Sequence, residues 1–156
     1  MAHHQPAHAK DAFTSEALER VAATIAEVEQ YTSAEIRISI IDERDNSMGG
    51  VSVEALAEKE FFKLEMEKTS GRSGVLLFIL YAERKFYLYG DKGIHERVDP
   101  GTWTDVAQVL KHHFAQGEFE EGLHASLRSI SAHLKSALPQ SGPNQNNQLT
   151  NEVSIS

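Results

Sequence analysis

Two carboxylates and their polar neighbours carry most of the chemistry this sequence could support: Glu35 in Ser33-Ala-Glu-Ile36, and Asp91 in Gly90-Asp-Lys-Gly-Ile-His95. Arg72 and Ser73 in Thr69-Ser-Gly-Arg-Ser-Gly74, with Lys92 and His95, supply cationic, hydroxyl and imidazole groups. Carboxylates that meet near glycines and hydroxyls suit a hard cation such as Ca2+, which takes several oxygens and accepts backbone carbonyls from irregular loops. Glu35 and Asp91 are therefore the candidate metal ligands, and Arg72, Ser73, Lys92 and His95 the candidate ligand-binding groups. A competing assignment needs no ligand: Glu35 pairs with Arg72 or Lys92, and Asp91 caps a turn.

Whether these groups meet depends on the strands that carry them. Glu35-Ile-Arg-Ile-Ser-Ile-Ile41 alternates isoleucine with polar residues and predicts a strand. The run 74–81 is almost continuously apolar, as expected for a strand covered on both faces; Phe86-Tyr-Leu-Tyr89 follows it after a reversal at Ala82-Glu-Arg-Lys85, and Gly90 to His95 then reads as a polar, glycine-flanked loop. Residues 52–68 predict a helix between the first two strands, which should then run parallel through a right-handed crossover, with the third strand antiparallel to the second. Glu35, Arg72, Ser73 and Asp91 then share one end of the sheet. Asp42 and the Glu83-Arg84 turn fall at the other end, roughly 20 Å away at about 3.3 Å per residue.

The remaining elements supply the cover. Thr14 is placed to cap a first helix, with Phe13 and Leu18 as a hydrophobic staple and Val21, Ile25 and Val28 on one face. Asp99-Pro100 predicts the start of a helix bearing Trp103, Val106, Leu110 and Phe114. A last helix carries Phe119, Leu123, Leu127, Ile130 and Leu134 and stops at Pro139. The expected organisation is a flexible segment over 1–12, which holds His3, His4 and His8, then one α/β domain over 13–138 and a disordered polar tail over 139–156. In that domain a small mixed β-sheet is sandwiched between α-helices.

Composition narrows the function. The formal charge of −8 and the lack of a Lys/Arg cluster disfavour nucleic acid and anionic membrane, and favour a divalent cation or another protein as partner. With no cysteine, thiol catalysis, thiolate zinc and disulfides are excluded. A polar start and the lack of a long apolar run predict neither a leader nor a membrane span, hence a cytoplasmic protein. The loop 42–50 fails as a calcium loop: counted from Asp42, Ser47 stands where glycine is needed and Val53 where glutamate is needed. His112 and His113 are adjacent and point apart on a helix, so with His124 and His133 they read as separate surface or half-buried histidines.

Five segments in order resemble one family. They are Tyr31-Thr-Ser-Ala-Glu-Ile-Arg37, Lys68-Thr-Ser-Gly-Arg-Ser-Gly-Val-Leu76, Glu83-Arg-Lys-Phe86, Gly90-Asp-Lys-Gly-Ile-His95 and Gly117-Glu-Phe-Glu-Glu-Gly-Leu123. Together they are similar to the TPM domain, a family with members in the thylakoid lumen, in a nematode receptor-accessory protein and in many bacteria. The resemblance implies a small mixed sheet between helices. It also implies two functional possibilities, since some members are described as calcium-binding and some as acid phosphatases. Its Thr/Ser-Gly-Glu-Ile motif falls on Ser33 to Ile36, with Ala34 in place of glycine, and its Gly-Asp-x-Gly-Ile motif falls on Gly90 to Ile94. Ser73 stands where asparagine is frequent. The expected function is a binding module with a calcium-type site at Glu35 and Asp91 and a protein partner. The alternative is a weak metal-dependent acid phosphatase using the same carboxylates, with Arg72 or Lys92 as a phosphate clamp.

Overall fold

The computed structural model describes residues 5–140 and 150–156. Ala9–Ala12 (α1) leads into Ser15–Val28 (α2), whose start is fixed by Thr14: its hydroxyl accepts the Ala17 N–H at 3.2 Å. Glu35–Ile41 (β1), Val53–Lys63 (α3), Gly74–Leu80 (β2) and Lys85–Gly90 (β3) follow, and then Lys92–His95 (α4), Gly101–Ala115 (α5), Phe119–Ala137 (α6) and Ser154–Ile155 (β4). The strand order is β3-β2-β1-β4, with β1 and β2 parallel and β2 and β3 antiparallel.

Alternation along the strands sorts the core into two layers. Ile36, Ile38 and Ile40 of β1, with Val75, Leu77 and Ile79 of β2, face a cluster formed with α2, α5 and α6. Leu76, Phe78 and Leu80 point the other way, onto Leu56, Ala57 and Phe61 of α3. Every residue of β2 is buried, which explains why its sequence is apolar without alternation. On the α3 side β1 is polar until Ile41 joins that cluster, and there Ser39 donates a hydrogen bond to Glu60 of α3, so the two buried polar groups satisfy each other.

Four expectations about element extent are corrected. The helix over 52–68 ends at Lys63, because Glu65 adopts φ +58° and the chain turns before Met66 re-enters the core. The polar stretch after β3 contains the helical turn α4 rather than loop alone. The start is not flexible throughout: Ala9 is fully buried, and the Asp42 carboxylate accepts its N–H at 2.7 Å and meets His8 Nδ1 at 3.0 Å. His3 and His4 lie outside the described residues.

The fourth correction concerns the tail. Residues 150–156 return to the domain: Ser154 and Ile155 pair in parallel with Ser39 and Ile40, Ser156 N donates to Ile40 O at 2.9 Å, and Val153 is buried. With β2 on one side only, β1 otherwise leaves an unpaired edge, and the short apolar end of the tail covers it. Residues 141–149 of that expected tail lie outside the described residues.

Candidate functional site

Strand register assembles the sheet end. Glu35 is paired with Gly74, and Val75 with Gly90, so the residues flanking Gly74 on both sides carry the two carboxylates. Glu35 N donates to Ser73 O, and Asp91 N to Gly74 O, both at 3.0 Å. Glu35 and Asp91 are 6% and 4% exposed.

Arg72 occupies the place a cation would be expected to take beside Asp91. Its Nε and Nη2 donate to Asp91 Oδ2 and Oδ1 at 2.6 and 2.8 Å, a bidentate pair in which the Asp91 side chain is only 5% exposed and that of Arg72 36%. Asp91 Oδ1 also accepts the Lys92 N–H at 2.8 Å and so caps α4.

The loop 69–73 is built to hold Arg72 there. Arg72 has φ +49°, a left-handed conformation that is uncommon outside glycine and asparagine. Thr69 Oγ1 accepts the Ser73 N–H at 3.0 Å and Ser73 Oγ donates to Ser33 O at 3.3 Å, tying the loop to itself and to the approach of β1. The Gly93 N–H donates to Arg72 O at 2.9 Å, and a Cβ on Gly93 would stand 2.2 Å from Gly71 O. Only glycine fits that approach, which gives the second glycine of Gly90-Asp-Lys-Gly a physical reason.

A third buried carboxylate stands at the same end. Glu29, the C-cap of α2 and 4% exposed, accepts the Ile36 N–H through Oε2 at 2.8 Å. Burial pushes its carboxyl up to about 7, the Ile36 N–H pulls it down, and the neighbouring charge of Glu35 raises it further. Glu29 is not among the candidate residues named from the sequence. The overlooked signal was its position four residues after buried Ile25, which puts it on the apolar stripe.

The other two candidates stay at this end on α4, while the remaining histidines and Asp42 take no part in it. Lys92 and His95 are exposed on α4, and neither forms an ion pair with Asp91. His113 bonds Glu118, His124 bonds Thr24 and Glu120, and His133 meets Asp105, so each imidazole has its own partner. Asp42 is at the opposite end of β1, with its carbonyl accepting the Ala82 N–H at 2.8 Å. Among the described residues no three His, Asp or Glu side chains gather so as to hold a metal ion. The donor set at the sheet end suits calcium in kind, being carboxylate oxygen. It does not suit it as arranged, because Asp91 is already engaged by a guanidinium.

Among the described residues no helix is long and apolar enough to cross a membrane. A search of curated proteins found no match. Among solved structures, the BA42 protein of the psychrophilic bacterium Bizionia argentinensis is similar at 26% identity, covering 92% of this chain and 95% of that one, with a TM-score of 0.82. The fold is also shared with the N-terminal domain of the cg2496 protein of Corynebacterium glutamicum (14% identity, 84% and 78% covered, TM-score 0.59). An N-terminal domain from P. gingivalis is alike as well (17% identity, 81% and 79% covered, TM-score 0.62). The family model for the TPM domain matches residues 8–133, and the chain belongs to the TPM domain family.

Proposed function

We propose that this chain is a binding module rather than a hydrolase, and that its sheet end is a regulated cation site in which Arg72 acts as the built-in cation. The observation that carries this reading is the bidentate Arg72 pair on buried Asp91, across β2 from buried Glu35. A calcium-type ion would then enter by displacing the half-exposed guanidinium and taking oxygens from Asp91, Glu35 and the backbone of the irregular loop 69–73. Exchange of this kind gives weak affinity, because the incoming ion must compete with an intramolecular partner that loses no translational freedom. The acidic surface, with 23 Asp and Glu against 15 Lys and Arg, suits a partner protein with a basic face. The phosphatase alternative is less well supported: of its two candidate phosphate clamps, Arg72 is committed to Asp91, and Lys92 is exposed on α4.

The test follows the melting temperature of the purified chain during calcium titration. The wild type should rise modestly up to about 10 mM Ca2+, Arg72→Gln should rise more at each concentration, and Asp91→Ala should not respond. A flat response in both the wild type and Arg72→Gln would refute the cation site. Phosphate-ester turnover lost in both Glu35→Gln and Asp91→Asn would favour the hydrolase instead.

A further inference from the structure

At the opposite end of the sheet from Glu35 and Asp91, between the β2–β3 turn and the junction of α5 with α6, lies an apolar cavity of about 330 Å³. Its floor is aromatic: Phe86 of β3, Phe114 of α5 and Phe119 of α6 line it. The Phe114 and Phe119 rings are 5.3 Å apart between centroids, and Tyr81 stands 5.7 Å from Phe119. Its polar lining is of one sign. Arg84, Lys85 and Lys111 line it, and among the described residues no Asp or Glu does.

Three cations around one apolar cavity stand out on a chain of formal charge −8. Arg84 is held in place: Nη1 donates to Tyr81 O at 2.8 Å and its guanidinium carbon sits 4.3 Å from the Tyr81 ring centroid. It makes no ion pair among the described residues, and neither does Lys111. Lys85 lies 3.7 Å from Glu83, but Glu83 also receives two hydrogen bonds from Arg44, so its charge is shared. An apolar floor of this size beneath a cationic rim is complementary to a molecule with a hydrocarbon body and an anionic head.

We propose that this cavity binds a small amphipathic anion, an aliphatic monocarboxylate whose chain lies on Phe86, Phe114 and Phe119 and whose carboxylate meets Arg84 and Lys111. Gln5, which lines the cavity and donates to Phe114 O at 3.3 Å, flanks the bound chain. The volume is near the lower end of the range for small-molecule sites, about 300–1,000 Å³, which favours a single short chain over a peptide. This site is independent of the cation reading at the other end of the sheet.

The experiment titrates the full chain with monomeric decanoate, using decanol and decyltrimethylammonium as uncharged and cationic controls, and follows heat and amide chemical shifts. Two exposed α5 positions supply the variants: Ala115→Trp fills the cavity, and Lys111→Glu reverses one rim charge without touching the core. Decanoate should bind saturably and more tightly than either control. Lys111→Glu should weaken it about fivefold, the scale of reversing one partly solvated charge contact, and Ala115→Trp should abolish binding. The proposal is overturned by any of three results: no saturable binding of decanoate, decyltrimethylammonium binding as tightly as decanoate, or an affinity unmoved by Lys111→Glu. It is also overturned if the face instead takes a lipid surface or a second copy, seen as sedimentation with anionic vesicles or as dimerisation lost in Ala115→Trp, without decanoate binding. If Ala115→Trp fails to fold, Lys111→Glu still decides the question.

Discussion

Replacing Glu29 with glutamine should stabilise the protein above neutral pH and leave it nearly unchanged in acid. Glu29 is 4% exposed, and its carboxyl is raised from an ordinary 4.5 to about 7, first by burial and then by the charge of Glu35. A carboxyl raised on folding holds its proton more tightly in the native state than in the unfolded chain. Below about pH 4.5 both states are protonated and nothing is lost. As pH rises from there to about 7 the unfolded state ionises first, so stability falls, and above about 7 the full loss is carried. At about 1.4 kcal/mol per pH unit, the interval corresponds to about 3 kcal/mol.

Glutamine keeps an oxygen for the Ile36 N–H, now at 2.8 Å from Oε2, and has no charge to bury. Urea denaturation of both proteins across pH 4 to about 8.5 should give curves that coincide in acid. They should then separate, with Glu29→Gln ahead by about 2–3 kcal/mol, or about 5–10 °C in Tm, on the alkaline side. All other titrating groups are common to the two proteins, so the difference isolates Glu29. Parallel curves through this window, or a glutamine variant less stable at about pH 8, would refute the assignment of a buried, neutral Glu29.

Two further outcomes test the packing around the ends of the sheet. Gly93→Ala should destabilise by about 1–3 kcal/mol, because the new methyl would meet Gly71 O at 2.2 Å and force α4 off the loop that holds Arg72; an unfolding midpoint within error of the wild type would show that the approach is not that close. Val153→Ala should lower stability by about 1–2 kcal/mol, and deletion of residues 150–156 by more, since Val153 is 6% exposed and β4 covers the edge of β1. Hydrogen exchange at Ser39 to Ile41 checks the second: exchange unchanged by the deletion would mean that β4 does not hold that edge.

The fold was legible wherever burial imposed a period. The β1 bounds, the apolar run of β2, the antiparallel β3 and the Thr14 cap could all be read from residue types, because each is set by local chemistry or by one face of core. The misread parts depend on partners distant in sequence. β4 is two residues long and has no periodicity to detect; it exists because β1 offers an edge. Residues 9–12 carry no strong helix signal, and what orders them is Asp42, more than thirty positions away. The end of α3 at Lys63 rests on a left-handed Glu65, a conformation that residue type does not announce.

The sheet end shows the same division. That Glu35 and Asp91 share an end followed from strand directions, but the state of their charges did not. Glu29 brings a third buried carboxylate to that end, and its proton removes one negative charge near neutral pH; Arg72 balances Asp91. Both are responses to the same desolvation that makes clustered carboxylates unstable without counter-charge. A divalent ion entering there would change both at once, freeing Arg72 and drawing the proton from Glu29. Its apparent affinity should therefore rise with pH through the neutral range, which ties the cation reading to a titration that glutamine at position 29 would flatten.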